Sequence, residues 1–200
     1  MNLKRRKFFS LILALTMMLS IFVGLTPVLV TAANEKTISI LHTNDVHGRI
    51  YQVDGNNSGM MGIDKIAAVK NGTENAILVD AGDTIHGLPI VNTNNGLNAI
   101  ELMTAAGYDV MTPGNHDFNY GSARLAELAG IASPNGLTII SSNVYNKSGE
   151  NFLPETKIIE KDGVKVGFFG LTTQETPILT GPVNVASIEF REYNNPPKAR

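Results

Sequence analysis

The chain has 200 residues, a net charge of −2 and no cysteine. The first 33 residues hold four of the 16 Lys and Arg and none of the 18 Asp and Glu, so the remainder carries a net charge of −6. This acidic balance argues against binding of polymeric nucleic acid through a broad basic surface. The lack of cysteine excludes a disulfide scaffold, a thiolate zinc site and a cysteine nucleophile.

The N-terminus, residues 1–33, has the pattern of a secretory signal peptide. Four basic residues at positions 4–7 precede a long apolar stretch, and the small residues Thr31, Ala32 and Ala33 follow it. Cleavage after Ala32 or Ala33 fits this pattern and predicts a secreted or periplasmic location. The apolar stretch is longer than that of most signals, so an uncleaved membrane anchor is the alternative.

Strands and helices are predicted to alternate along the rest of the chain. The predicted strands are residues 37–44, 76–80, 109–112, 137–141 and 164–171. A loop is predicted over 54–62. Helices are predicted from Ile63 onward, over 97–106 with a stop at Gly107, and over 122–129 with a stop at Gly130. This alternation predicts one α/β domain over residues 34–200.

Polar motifs follow three of the predicted strands. The motifs are Asp45-Val46-His47, Gly82-Asp83 and Gly114-Asn115-His116-Asp117. Asp45 and Asp83 are 38 positions apart and Asp83 and Asn115 are 32 apart, each about one strand–helix–strand unit. Parallel strands would bring the motifs to one edge of the sheet, where open α/β sheets bind ligands. Because residues two apart in extended chain point to the same side, Asp45 and His47 are expected to converge.

The residue types in these motifs suit a pair of divalent metal ions. Imidazole, carboxylate and amide oxygen form a borderline donor set that favours Zn, Mn, Fe or Co over soft metals. Two such ions about 3.5–4 Å apart can share a carboxylate and activate water for an in-line displacement. The sequence therefore predicts a two-metal hydrolytic site.

Taken together, the three motifs resemble those of the calcineurin-like metallophosphoesterases. Residues 40–48, 114–121 and 170–173 are similar to the branch that contains secreted 5′-nucleotidases and 2′,3′-cyclic-nucleotide phosphodiesterases. The resemblance extends over roughly residues 37–190. It implies an αββα sandwich and hydrolysis of nucleotides or other small phosphate esters by attack of metal-activated hydroxide on phosphorus.

The resemblance also implies a role for each matching residue. Asp45 and His47 would bind the first metal ion, Asp83 would bridge both ions, and Asn115 would bind the second. His116 would lie beside the scissile phosphate and stabilise or protonate the leaving oxygen.

Position 119 departs from the pattern of the nucleotidase branch. That branch often pairs the catalytic histidine with an aspartate three residues later, and this chain has Asn119 there. Asparagine can orient the ring but cannot stabilise an imidazolium by charge. This difference slightly favours a cyclic phosphodiesterase.

The family completes its two metal sites with three further histidines, two of them in a downstream Gly-His-x-His motif. The four histidines of this chain are at positions 42, 47, 86 and 116, and none follows. Residues 34–200 are therefore expected to be the N-terminal part of a catalytic domain, weakly active or inactive alone and without the C-terminal nucleotide-binding domain of the branch. The alternatives are a non-catalytic surface or binding protein and a sulfur-ester hydrolase on the same scaffold.

Other polar and aromatic residues near the motifs receive more modest interpretations. Asn44 is expected to support the first metal's ligands and Asp117 to brace its loop. His86 lies three residues past Asp83, within reach of the pocket. His42 alternates with the core face of its strand and is expected to be a hydrogen-bonded structural histidine. Structural roles are predicted for Asn143, Phe118 and Tyr120.

Overall fold

The fold comes from a computed structural model that describes residues 35–51 and 61–192 and a few positions between 5 and 16. The chain divides into two units, Met1–Glu35 and Lys36–Arg200. The described positions between 5 and 16 are helical. The predicted cleavage region at 31–33 and most of the predicted loop over 54–62 lie outside the described residues. Within the described residues, no helix is long and apolar enough to cross a membrane.

A four-stranded parallel sheet forms the centre of the second unit. Its strands follow the chain in the order β1 (Ser39–Thr43), β2 (Ala76–Asp80), β3 (Val110–Met111) and β4 (Thr138–Ile139). The helices between them are α1 (Ile63–Gly72), α2 (Pro89–Asn92), α3 (Leu97–Ala106) and α4 (Ser122–Ala132). The predicted α/β class is confirmed, and the carboxyl ends of β1, β2 and β3 meet at one edge.

Two antiparallel strand pairs follow the parallel sheet. β5 (Val144–Asn146) pairs with β8 (Ile188–Phe190), and β6 (Thr156–Lys161) pairs with β7 (Val164–Phe169). The helix α5 (Thr176–Leu179) and a 3-10 turn at Pro182–Val185 lie between β7 and β8. Of these elements, the sequence predicted only β7.

The core packs helices α3 and α4 against the parallel sheet. Ile100 and Met103 of α3 are three residues apart and share a buried face, as do Leu125 and Leu128 of α4. Complete burial of each such side chain contributes roughly 1.5–3 kcal/mol. This packing fixes the edge of the sheet from which the polar motifs project.

Helix α4 continues past Gly130, where the sequence predicted its end. The fully buried Leu128 and Ala132 lie one turn apart, and their packing offsets the roughly 1 kcal/mol cost of a glycine inside a helix. A 3-10 turn at Ser133–Asn135 follows, and Gly136 with a φ of 96° takes the left-handed conformation that ends it. The predicted stop at Gly107 is confirmed, since that residue caps α3 with a φ of 80°.

His42 is exposed on the outer face of strand β1. The strand turns Leu41 and Thr43 inward and leaves Ile40 and His42 on the opposite face. Within the described residues the His42 ring has no hydrogen-bond partner, so the hydrogen bond predicted for it is not found. The outer face borders a groove of about 450 Å³ that includes Met61 and Val69.

Candidate metal centre

The turns after β1 and β2 are joined by backbone hydrogen bonds. Asp45 N–H donates to the Gly82 carbonyl and His47 N–H to the Asp83 carbonyl, both at 2.9 Å. Asp45, His47 and Asp83 have φ values of 54°, 48° and 57°, in the left-handed region. This backbone costs roughly 1–2 kcal/mol for a residue other than glycine, and such residues concentrate at functional sites. Asp45 and His47 do converge, but left-handed backbone conformations bring them together rather than the extended chain that the sequence suggested.

Asp45, His47 and Asp83 form a cluster that could hold a metal ion. One donor atom of each lies within 4.8 Å of the others, and Asp45 Oδ1 is 4.0 Å from His47 Nε2. Two ligands at about 2.2 Å from one ion can be about 4.4 Å apart at most. The separation of Asp45 and His47 fits a shared ion.

The imidazole of His47 is oriented for metal binding. Its Nδ1 lies 3.0 Å from the backbone carbonyl oxygen of His86. A carbonyl can only accept, so Nδ1 carries the proton and Nε2 keeps a free lone pair on the side of Asp45. The Asn44 side-chain amide donates to Asp45 Oδ2 and steadies that carboxylate.

The third motif rests directly against Asp83. His116 N–H donates to Asp83 Oδ1 at 2.7 Å. A Cβ atom on Gly114 would overlap the same carboxylate, so only glycine fits there. Asn115 is half-buried, lies between Gly114 and His116 in the sequence, and directly precedes the 3-10 turn His116–Phe118. Asn115 and His116 therefore adjoin the cluster.

His116 belongs to a group of three imidazoles. Its ring centroid is 5.2 Å from that of His47, nearly perpendicular, and 5.9 Å from that of His86, almost parallel. The Asn119 amide nitrogen is 3.1 Å from His116 Nδ1 and 3.2 Å from His86 Nδ1. Burial and the nearby His116 and His47 lower the pKa of His86. The structure thus places His86 beside His116 and Asn119.

Asp117 is buried against the turns that follow strands β2 and β3. Its two carboxylate oxygens accept the backbone N–H groups of Asp83, Thr84, Ile85 and Gly114 at 2.8–2.9 Å. Burial raises the pKa of Asp117 to about 6, although the backbone donors act in the opposite direction. This carboxylate joins the second motif to the third.

Asp80 supports the turn after β2, a role that was not predicted from the sequence. Asp80 is buried at the end of β2, where its carboxylate accepts Gly82 N–H at 2.9 Å and the hydroxyl of Thr43 at 2.6 Å. The Thr84 hydroxyl donates to it at 3.0 Å. A charged residue that ends an apolar run was the available signal.

The buried Asp80 predicts a pH-dependent difference in stability. Burial raises its pKa to about 7, so the stability linked to its protonation is complete below about pH 4 and is lost as the pH rises towards 7. Asp80→Asn stays neutral, so its free energy of unfolding should increase relative to the wild type over that interval. Urea denaturation at pH 4.5, 6 and 7.5 measures the difference, and a pH-independent difference would contradict the shift.

The remaining residues of the motif region have structural contacts. Phe118 is fully buried, and its ring lies 5.4 Å from that of Phe190. The Tyr120 hydroxyl donates to Asn92 Oδ1 at 2.6 Å. The buried Asn143 amide nitrogen donates to the Thr172 carbonyl at 2.8 Å.

Comparison with known proteins agrees with this arrangement. The calcineurin-like phosphoesterase family matches residues 38–198. A snake venom 5′-nucleotidase from Gloydius brevicauda is 32% identical over 180 residues, which covers 80% of this chain and 29% of that protein. Endonuclease YhcR of Bacillus subtilis (strain 168) is 35% identical over 178 residues, covering 78% of this chain and 15% of its own length.

A solved structure gives the same relationship in three dimensions. The 5′-nucleotidase precursor from Thermus thermophilus superposes with a TM-score of 0.66 at 26% identity, covering 78% of this chain and 32% of that one. The chain therefore belongs to the calcineurin-like phosphoesterase family, a class of metal-dependent phosphoric ester hydrolases. It spans less than a third of the length of these relatives.

Proposed function

We propose that this chain is the N-terminal part of an exported, two-metal phosphoesterase that hydrolyses nucleotides. The observation that carries the proposal is the Asp45–His47–Asp83 cluster with His116 tied to it through a backbone hydrogen bond. The relationship to proteins named 5′-nucleotidase supports a nucleotide substrate. The basic, apolar and small-residue pattern of residues 1–33 supports export.

The residues of the site divide the work of hydrolysis among them. A pair of divalent ions would supply Lewis acidity and a nucleophilic water at neutral pH. Asp45 and His47 would bind one ion, Asn115 the other, and Asp83 both. The His86 carbonyl fixes the ring of His47 by accepting from Nδ1.

His116 is the group we propose to face the leaving oxygen. Its backbone bond to Asp83 Oδ1 ties its position to the proposed metal ligands, so the hydrogen-bond donor of its ring and the metal centre would keep a fixed relation. A hydrogen-bond donor directed at the charge that develops in the transition state typically contributes about 10²–10³-fold to a rate.

Phosphodiesters are the second substrate class to test. The relative that is 35% identical is named an endonuclease, and Asn119 departs from the aspartate of the nucleotidase branch. Both observations favour activity on a diester bond in addition to a monoester. The net charge of −6 after residue 33 favours a small diester over a polymer.

The 200-residue chain is expected to hydrolyse phosphate esters only weakly. It has no histidine after position 116, so the second metal ion would be short of ligands. Turnover of AMP and 2′,3′-cyclic AMP with added Mn²⁺ should be at least about 100-fold below that of a full-length 5′-nucleotidase.

Two other results of this assay would change the proposal. Turnover equal to that of the full-length enzyme would contradict an incomplete second site. Tight Mn²⁺ binding with no turnover on either ester, in this chain and in a version extended beyond residue 200, would favour the non-catalytic binding protein. His116→Gln is the control for turnover, because it removes the imidazole that we propose to face the leaving oxygen without removing a proposed metal ligand.

A further inference from the structure

The side chain of Asn119 is held from two sides. The Thr180 hydroxyl lies 2.5 Å from Asn119 Oδ1, and Asn119 Nδ2 lies 3.1 Å from His116 Nδ1. Thr180 directly follows helix α5 and is 61 positions further along the chain. A residue with no place in the motifs therefore reaches the catalytic region through one intermediate side chain.

These contacts have a defined hydrogen-bond polarity. An amide oxygen can only accept and an amide NH₂ can only donate, whereas a hydroxyl can do either. With the Thr180 hydroxyl donating to Oδ1, the NH₂ group of Asn119 faces the imidazole. His116 Nδ1 then accepts a hydrogen bond and carries no proton.

We infer that Thr180, acting through Asn119, holds neutral His116 as the tautomer with its proton on Nε2. Thr180 and Asn119 are positioning residues, because neither is proposed to touch substrate. The catalytic consequence rests on the proposed function: Nε2–H of neutral His116 would donate a hydrogen bond that stabilises the charge developing on the leaving oxygen, and the ring would keep its proton. The placement of the proton itself does not depend on catalysis.

Asn119 therefore has the opposite hydrogen-bond polarity to an aspartate, because its amide group donates to the imidazole whereas a carboxylate can only accept. A carboxylate at position 119 would accept from Nδ1–H and leave Nε2 of the neutral ring without a proton. The amide reverses this polarity, so the neutral ring already presents a donor. His47 holds the opposite tautomer, because the His86 carbonyl accepts from its Nδ1.

Thr180 is itself well anchored. Its N–H donates to the Thr176 carbonyl and its carbonyl accepts from the Asn184 amide, both at 2.9 Å. Thr176 is fully buried, and its hydroxyl donates to the Thr173 carbonyl at 2.6 Å. This local network limits the directions in which the Thr180 hydroxyl can point.

Nitrogen NMR of the histidine rings tests the inference directly. The protein has four histidines, so in ¹⁵N-histidine-labelled protein the single variants His42→Gln, His47→Gln and His86→Gln assign three ring signals, and the remaining signal is that of His116. At pH 8.5 in metal-free protein, ordinary imidazoles are neutral and long-range ¹H–¹⁵N couplings identify the protonated nitrogen. We expect Nε2–H for His116 and Nδ1–H for His47 in the same spectrum.

Substitutions at both positions extend the test. Thr180→Val removes the hydroxyl at nearly constant volume and should mix the tautomers of His116, while Thr180→Ser should keep the wild-type signal. Asn119→Asp should move the proton to Nδ1 and covers the case in which Thr180→Val does not fold. With Mn²⁺ added, Thr180→Val should lower kcat about 10-fold at unchanged KM, and Thr180→Ser should restore it.

The possible outcomes separate this inference from the proposed function. Nδ1–H on His116 of the wild type would overturn the inference, as would an unchanged His116 signal in folded Thr180→Val. The expected tautomers without any Mn²⁺-dependent hydrolysis, in this chain or a longer one, would support the inference and count against the proposed function.

Discussion

Replacing Asp83 by asparagine is expected to weaken Mn²⁺ binding at least about 100-fold while the fold stays intact. The amide oxygen of the introduced side chain can still accept the His116 N–H, and asparagine tolerates the φ of 57° at this position. What is lost is the negative charge of a side chain that we propose as an anionic metal ligand. Because loss of a residue that only supports a ligand costs 10–100-fold in metal affinity, loss of a ligand should cost more.

Mn²⁺ titration followed by the EPR signal of the free ion measures this effect. Asn115→Ala should weaken binding less than Asp83→Asn does, because Asn115 is proposed to touch only one ion and is neutral. The exposed Asp64→Asn removes the same charge from a residue that is not part of the cluster and should leave the affinity unchanged. Equal, small losses at positions 83 and 115 would contradict the bridging role of Asp83.

Comparison with Asp83→Ala separates the metal role from the structural one. Alanine removes the acceptor for His116 N–H and is strained in the left-handed conformation, at a cost of roughly 1–2 kcal/mol. Asp83→Ala should therefore lower the thermal midpoint, whereas Asp83→Asn should change it little. Both variants should have similarly weak Mn²⁺ binding.

The meeting of the three motifs at one edge of the sheet could be predicted from the sequence, because the number of residues between them reflects the order of strands and helices. About 30–40 residues between Asp45, Asp83 and Asn115 leave room for one helix per crossover, and right-handed crossovers make successive strands parallel neighbours. The structure has this strand order, so the three motifs meet at one edge. Hydrophobic periodicity was also sufficient for the buried α3, whose predicted bounds are those observed.

The local geometry of the site could not be predicted in the same way. The left-handed turns at Asp45 and His47 depend on hydrogen bonds to Gly82 and Asp83, which are distant in sequence. Thr180 reaches Asn119 across 61 positions, and no periodic pattern encodes such a contact. Strands such as β5 and β8 have three residues each, too few for alternation to distinguish them from loop.

Asp117→Ala is expected to be the most destabilising single substitution in the described site. The carboxylate satisfies four backbone N–H groups in the buried turns, from Asp83, Thr84, Ile85 and Gly114. Removing the acceptor leaves these donors buried without partners, which should cost about 3–5 kcal/mol of unfolding free energy. Because natural domains are stable by roughly 5–15 kcal/mol, the variant should be partly unfolded at moderate temperature.

Asp117→Asn separates the loss of hydrogen bonds from the loss of the side chain. Its amide oxygen can accept from Thr84 and Ile85, but its NH₂ group then faces the N–H groups of Asp83 and Gly114, donor against donor. We expect about 2–3 kcal/mol of destabilisation and a 10–100-fold loss of Mn²⁺ affinity, because the displaced turns carry the proposed metal ligands. Urea unfolding measures the first effect, with Asp64→Asn as the exposed control. A loss below about 1 kcal/mol in Asp117→Asn would mean that the two facing donors find other acceptors, so that the carboxylate is not what joins the second motif to the third.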